Sequence, residues 1–214
     1  MRNVWKFGWL ALSLTACAGG QVRRSVARAD ADVVAEAPPV REGLDALGDA
    51  RERKARATQS LEEARLLLSG VEAKLEMAAA DVDAAEAEIR AARVARDGAR
   101  RMAASERRAK AQRSVERRQL EHAWRRRDVE AREANLDATR REEAYRSAEL
   151  ELARVEVLHG QGAGESYTKS SFVEQRERLR AAWNAAAADA EKATRSAGEA
   201  YERFVAAGSE PGPS

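Results

Sequence analysis

Residues 61–92 read LEEARLLLSGVEAKLEMAAADVDAAEAEIRAA, with Leu61, Leu68, Leu75, Val82 and Ile89 seven apart and Ala64, Val71, Ala78, Ala85 and Ala92 each three residues behind. Alternate steps of three and four put all ten on one stripe of an α-helix, and a repeat of seven specifies a left-handed coiled-coil seam. The same register runs without a slip from Leu47 to Val155, through Ala50 and Ala57 upstream and Trp124, Ala131, Ala138, Tyr145 and Leu152 downstream. Between Arg96 and Arg117 charged side chains hold most seam positions, and Gly98 lies nearby. The continuous register predicts one helix over about 42–158, ~175 Å long at ~1.5 Å per residue. The alternative is a turn near Gly98 and a three-helix bundle. The lack of a proline or a longer loop signal there favours the unbroken helix.

Glycine in Val157-Leu158-His159-Gly160 marks the end of that helix with a left-handed cap. Residues 159–170 are glycine-rich loop, and Ser171 with Glu174 has the spacing of a capping box for a second helix over 171–206. Its stripe is Phe172, Leu179, Trp183, Ala186, Ala190, Ala193, Ala197, Ala200 and Phe204. Alanines in the middle let two backbones approach, and aromatic residues at the ends hold the register. A short loop makes the two helices antiparallel neighbours, with Phe172 near Leu158 and Phe204 near Leu120 to Trp124. Val129, Leu136, Leu150 and Val157, off the main seam, are read as facing this second helix. The expected fold is all-α: a long coiled-coil helix followed by an antiparallel helical hairpin return over about 120–206. The 61–92 seam then lacks a partner within the chain, so a homo-oligomer or a helical protein partner is expected.

The amino terminus carries an address. Arg2 and Lys6 precede and flank an apolar run that ends Leu14-Thr15-Ala16-Cys17. The run is shorter than the ~20 residues that cross a bilayer, and it has the order of an export signal. Leu14-Thr15-Ala16-Cys17 resembles the lipobox of bacterial lipoproteins. That resemblance implies a signal peptide over 1–16, cleavage before Cys17, lipidation of the Cys17 sulfur and acylation of its new amino group with palmitate-like chains. Cys17 is the only cysteine in the chain, and an exported thiol without a disulfide partner is accounted for by lipidation. Two or three acyl chains hold a protein on a bilayer almost permanently. Ala18-Gly19-Gly20 lacks the aspartate of the enteric retention rule, which implies the outer membrane, facing the periplasm or exposed at the surface. Residues 17–40, ending Pro38-Pro39, read as a flexible tether, in which a short helix around 22–35 has room to form. Residues 207–214 read as a tail.

Loss of Arg2 and Lys6 with the signal leaves 36 basic and 36 acidic residues, so the mature chain is close to neutral. With 35% charged and 5% aromatic residues, the chain suits long helices better than a globular core. Few residues suggest chemistry. Gly160, Gly162 and Gly164 are spaced by two and follow a helix, which excludes the dinucleotide and phosphate-loop patterns. His122 and His159 lack a metal-ligand spacing, and no serine has a His and Asp arrangement. No catalytic residue, metal, cofactor or small-molecule substrate is expected.

Charge is segregated along the chain. Residues 71–92 are acidic, and 93–127 are basic. In the basic stretch Arg100, Arg101, Arg107, Arg108, Arg117, Arg118, Arg125 and Arg126 are candidate contacts for an anionic cell-wall or lipopolysaccharide polymer. The other readings are acidic-on-basic pairing between staggered or folded-back helices and a solvated surface. Nucleic acid is set aside because of the export signal. Tyr167 and Lys169, at the hairpin tip, are candidate contacts for a protein partner. These features favour a non-enzymatic scaffold or spacer in the cell envelope. It resembles murein-type lipoproteins in being a lipidated coiled coil, but departs from them by ending Gly212-Pro213-Ser214 rather than in lysine. The alternatives are an adaptor that recruits or activates an envelope enzyme or secretion complex, and a polymer binder acting through 93–127.

Overall fold

The computed structural model describes residues 25–209; residues 1–16, read above as a signal peptide, Cys17 and the residues beyond 209 lie outside them. The described residues form four helices, α1 (Arg28–Val33), α2 (Pro38–Val94), α3 (Gly98–Gly160) and α4 (Lys169–Ser209), with no strand among them. Helix α3 is central, with α2 packed along one side and α4 along another.

The single long helix does not form: the chain reverses at residues 95–97. Arg96 adopts φ 53°, its amide donates to Arg93 O at 3.1 Å, and the Asp97 amide donates to Ala92 O at 3.0 Å. This is the Schellman closure, with arginine where glycine is usual. Asp97 then caps α3, its Oδ1 accepting from the Arg100 amide at 2.9 Å. One aspartate thus ends the closure of one helix and opens the next, so no longer loop is required. Gly98, the residue that suggested a bend, is the first residue of α3 and not the left-handed one.

The reversal brings α2 antiparallel to α3. Arg53 meets Glu142, Arg65 meets Glu133 and Arg108 meets Glu86. The buried residues of α2 are Val40, Leu47, Ala50, Ala57, Leu61, Ala64, Val71, Ala78, Ala85 and Ala92, all on the seven-residue register. The seam from Leu61 therefore packs against α3 of the same chain, with Leu68, Leu75, Val82 and Ile89 half-buried. Leu136 and Val129 pack against Ala57 and Leu61, while Leu150 packs in the cluster that holds Leu47. These three residues face α2, not α4 as their place beside the main seam suggested. The middle helix needs two apolar stripes because it has two neighbours. Its second stripe includes Ala138, which packs with Ala186 and Ala190 of α4, and Tyr145, which stacks on Trp183 at 5.3 Å between centroids. Trp124 stacks on Phe204 at 5.5 Å near the far end of α4.

Several local features also differ from expectation. Residues 26–40 are not a free tether: Val26, Ala31, Val34 and Val40 are buried with Leu150, Leu152, Val155, Leu158, Tyr167 and Phe172. Pro38 and Pro39 open α2, because a missing amide costs nothing in a helix's first turn. Helix α4 starts at Lys169, and Ser171 Oγ donates to Thr168 O at 2.7 Å rather than forming the expected capping box. Gly160 ends α3 inside the helix, and the left-handed residue is Gly162, at φ 75°. Helix α4 itself extends to Ser209, three residues past the expected end.

Candidate functional site

The fold has two dissimilar poles. At one, residues 25–40 wrap the α3–α4 loop. Tyr167 is 2% exposed; its hydroxyl donates to Asp30 Oδ2 and accepts from the Ala27 amide at 3.0 Å. The Val26 amide donates to Glu151 Oε2 at 2.7 Å. His159 Nε2 lies 2.9 Å from Tyr167 O, and a Cβ at Gly164 would sit 2.6 Å from the His159 ring, so this loop closes only around glycine. Tyr167 is therefore not an exposed partner contact. Lys169 is half-exposed and paired with Glu156, Nζ to Oε1 2.8 Å.

At the other pole lies the α2–α3 turn. The fold divides the eight candidate arginines of the basic stretch. Arg107 pairs with Glu88 at 2.8 Å and Arg108 with Glu86 at 2.9 Å, acidic α2 against basic α3. His122 approaches Glu72 at 3.5 Å in the same sense. Arg118 pairs with Glu121 at 2.5 Å, Arg126 with Glu130 at 3.4 Å, and Arg125 with Asp128 at 4.0 Å. Arg125 also lies over the Trp124 ring, 3.9 Å from its centroid. The Arg117 guanidinium lies beside Gly208, at the end of α4. Of the eight, Arg100 and Arg101 have neither a side-chain ion pair nor a neighbouring element over them among the described residues. The turn adds Arg93 and Arg96, exposed and equally without ion pairs. Over 90–101 the chain carries five arginines and one aspartate, a net charge of +4. Val94, 88% exposed, and Met102, 66% exposed, stand among them. The candidates thus narrow to the turn, where Arg93 and Arg96, within the 93–127 stretch but outside the eight, join Arg100 and Arg101. The available clue was Asp97 as a helix cap three residues before Arg100, which would have located the reversal and exposed this end.

The strongest electrostatic features away from the turn hold the helices together. Glu142 is buried and takes a two-point contact from Arg53, while Arg146 stands 4.0 Å away. A hydrogen bond from Lys54, aided by Arg51, holds the Glu143 carboxyl below its usual range against the opposing effect of partial burial. Burial pushes the Tyr145 hydroxyl up, and its hydrogen bond to Glu149 adds to the shift. Among the described residues no cluster of three or more His, Cys, Asp and Glu side chains could hold a metal ion. No helix among them is long and apolar enough to cross a membrane. No family model matches the chain, and neither a curated protein nor a solved structure does.

Proposed function

We propose that this protein is a non-enzymatic lipoprotein of the bacterial cell envelope, a coiled-coil arm anchored through Cys17 that presents its α2–α3 turn away from the anchoring membrane. The observation that carries the reading is the separation of the poles. Residues 25–40, which lead back to Cys17, are fastened beside the α3–α4 loop, whereas the arginine-rich turn lies at the opposite end of α2. The 57 residues of α2 at ~1.5 Å each make that separation ~85 Å, about half the span of an unbroken helix.

The lipobox-like Leu14-Thr15-Ala16-Cys17 supports the anchor, and Ala18-Gly19-Gly20 supports the outer membrane as its place. Every buried residue of α2 lies on the seven-residue register, with Leu68, Leu75, Val82 and Ile89 half-buried beside them, and this supports coiled-coil packing, which makes a slender rod stiff without a globular core. The scaffold then acts as a single folded chain, since its apolar seam packs against α3 of the same chain. An adaptor role would use the turn, because the α3–α4 loop is occupied by the chain's own amino-terminal residues.

Labelling cells with a palmitate analogue tests the anchor. Incorporation into the wild type and its loss in Cys17→Ala, with release of the protein from the membrane fraction, is the expected result. Label retained in Cys17→Ala, or a wild type recovered wholly in the soluble fraction, rejects it.

A further inference from the structure

We propose that the α2–α3 turn docks onto the surface of an anionic phospholipid bilayer, so that the arm joins its anchoring membrane to a second lipid surface. The inference rests on the anchored-arm reading for the first membrane, but the docking chemistry belongs to the turn alone.

Four observations converge there. Arg93, Arg96, Arg100 and Arg101 are exposed and, among the described residues, without ion pairs, whereas the arginines farther along α3, Arg107 and Arg108, are neutralised across the helix pair. Guanidinium groups bind phosphate oxygens in a two-point geometry that ammonium groups do not offer, and a layer of headgroup phosphates presents many acceptors at one depth. Val94 and Met102 stand exposed among these arginines. A soluble polyanion or a glycan gives such side chains nothing to bury against. A bilayer does, because acyl chains begin just below the phosphates, and interfacial segments combine basic and apolar side chains for this reason.

The third observation is conformational. Arg96 occupies a left-handed backbone position, φ 53°, that glycine or asparagine takes at less cost. The arginine there holds charge at the apex against its local preference, and strained positions of this kind gather at binding sites. The fourth is access. Helix α4 ends at Ser209, with Gly208 beside Arg117, so among the described residues the last ~25 Å of the arm is a pair of helices alone. Nothing else in the described fold keeps the turn from a flat surface.

The test compares the wild-type full chain with two variants, Arg93→Ala/Arg96→Ala/Arg100→Ala/Arg101→Ala and Val94→Ser/Met102→Ser. Each protein is first loaded on phosphatidylcholine vesicles. It is then offered labelled acceptor vesicles of phosphatidylcholine alone or mixed with phosphatidylglycerol, and capture of the acceptors is measured. Unchanged helix content by circular dichroism verifies that each variant is folded. The wild type is expected to capture the anionic acceptors only, and less as salt rises. At about fivefold per basic residue near an anionic surface, the four-arginine variant loses more than about a hundredfold in affinity. The serine variant loses about tenfold through its apolar contact.

A four-arginine variant that captures as well as the wild type overturns the proposal. So does a serine variant that matches the wild type while heparin competes fully, since the turn is then a general polyanion contact. All three proteins share one amino terminus, so failure of Cys17 lipidation would appear as loss from the loading vesicles. Direct flotation of each protein with the acceptor vesicles would still read the turn in that case.

Discussion

Arg53 on α2 grips Glu142 on α3 at two points, Nη2 2.9 Å from Oε1 and Nε 3.1 Å from Oε2. The two residues are 89 apart in sequence, and the bond exists only because the chain reverses at 95–97. Glu142 is the one charged residue buried among the described residues, so its partner matters more than that of an exposed carboxylate. The Arg53 side chain remains 41% exposed, which softens the effect. Arg53→Ala is expected to lower stability by about 1–2 kcal/mol. Glu142→Gln in the Arg53→Ala background should recover part of that loss, because the neutral side chain no longer relies on Arg146, 4.0 Å away, to offset a buried charge. Urea titration of the four-protein cycle measures both effects.

The second prediction concerns the amino-terminal wrap. Tyr167→Phe keeps the ring packed on Phe172 but removes the hydroxyl shared by Asp30 and the Ala27 amide. The expected loss is about 1–2 kcal/mol, confined to residues 25–37. Limited trypsinolysis should cut the variant at Arg28 well before the wild type, with the helical body intact. Equal rates at Arg28 would mean that the hydroxyl contributes nothing to the wrap.

A third prediction separates the folded-back chain from an oligomer. Leu61 packs with Ala57, Leu136 and Val129 of its own chain. Leu61→Ala should cost about 2–4 kcal/mol by opening a cavity. The melting temperature should be independent of protein concentration in both proteins, and sedimentation should give an elongated monomer. A melting temperature that climbs with concentration would instead place the seam between chains.

Two glycines of α2 are expected to respond oppositely. A Cβ at Gly43 would lie 3.0 Å from Leu150 Cδ1 and 3.4 Å from Leu150 Cα, so α2 and α3 approach closely there. Gly43→Val should destabilise by about 1–3 kcal/mol through overpacking. Gly70 has open space where its Cβ would be, and Gly70→Ala should stabilise by about 0.5–1 kcal/mol through helix propensity. Paired thermal melts provide the comparison.

The pH profile of stability should be limited at both ends. Glu143 is held below the usual carboxylate range chiefly by its hydrogen bond from Lys54. A lowered folded pKa adds stability that is complete above the unfolded value, about 4.3, and is lost as pH falls through the folded one. The Tyr145 hydroxyl is shifted the other way, first by burial and then by Glu149. Its contribution is complete below the unfolded value, about 10, and is lost as pH rises through the higher folded value. In Lys54→Met the acid limb should weaken while the alkaline limb stays, as measured by chemical denaturation across pH.

Much of the architecture was legible in residue spacing. The seven-residue register names every buried residue of α2 from Leu47 onward, and the stripe from Phe172 to Phe204 names the face of α4 that is buried or half-buried. Both follow from the fixed geometry of a helix, in which residues three and four apart share a face whatever surrounds it. The candidate lipidation site is a local motif of the same kind, read from consecutive residues.

The tertiary arrangement determined the rest. A register records which face of a helix is apolar but not which neighbour covers it, so Leu61 had no visible partner until α3 was folded back against α2. The reversal itself depends on Arg96 in a conformation that its residue type disfavours and on one aspartate cap, a signal weaker than the heptads running through it. Sequence spacing also could not show Tyr167 closing on Asp30, 137 residues away, or Arg107 and Arg108 meeting Glu88 and Glu86 of another helix. Such ion pairs and buried hydroxyls depend on distances across helices. Those distances exist only after the turn at 95–97 has chosen what faces what.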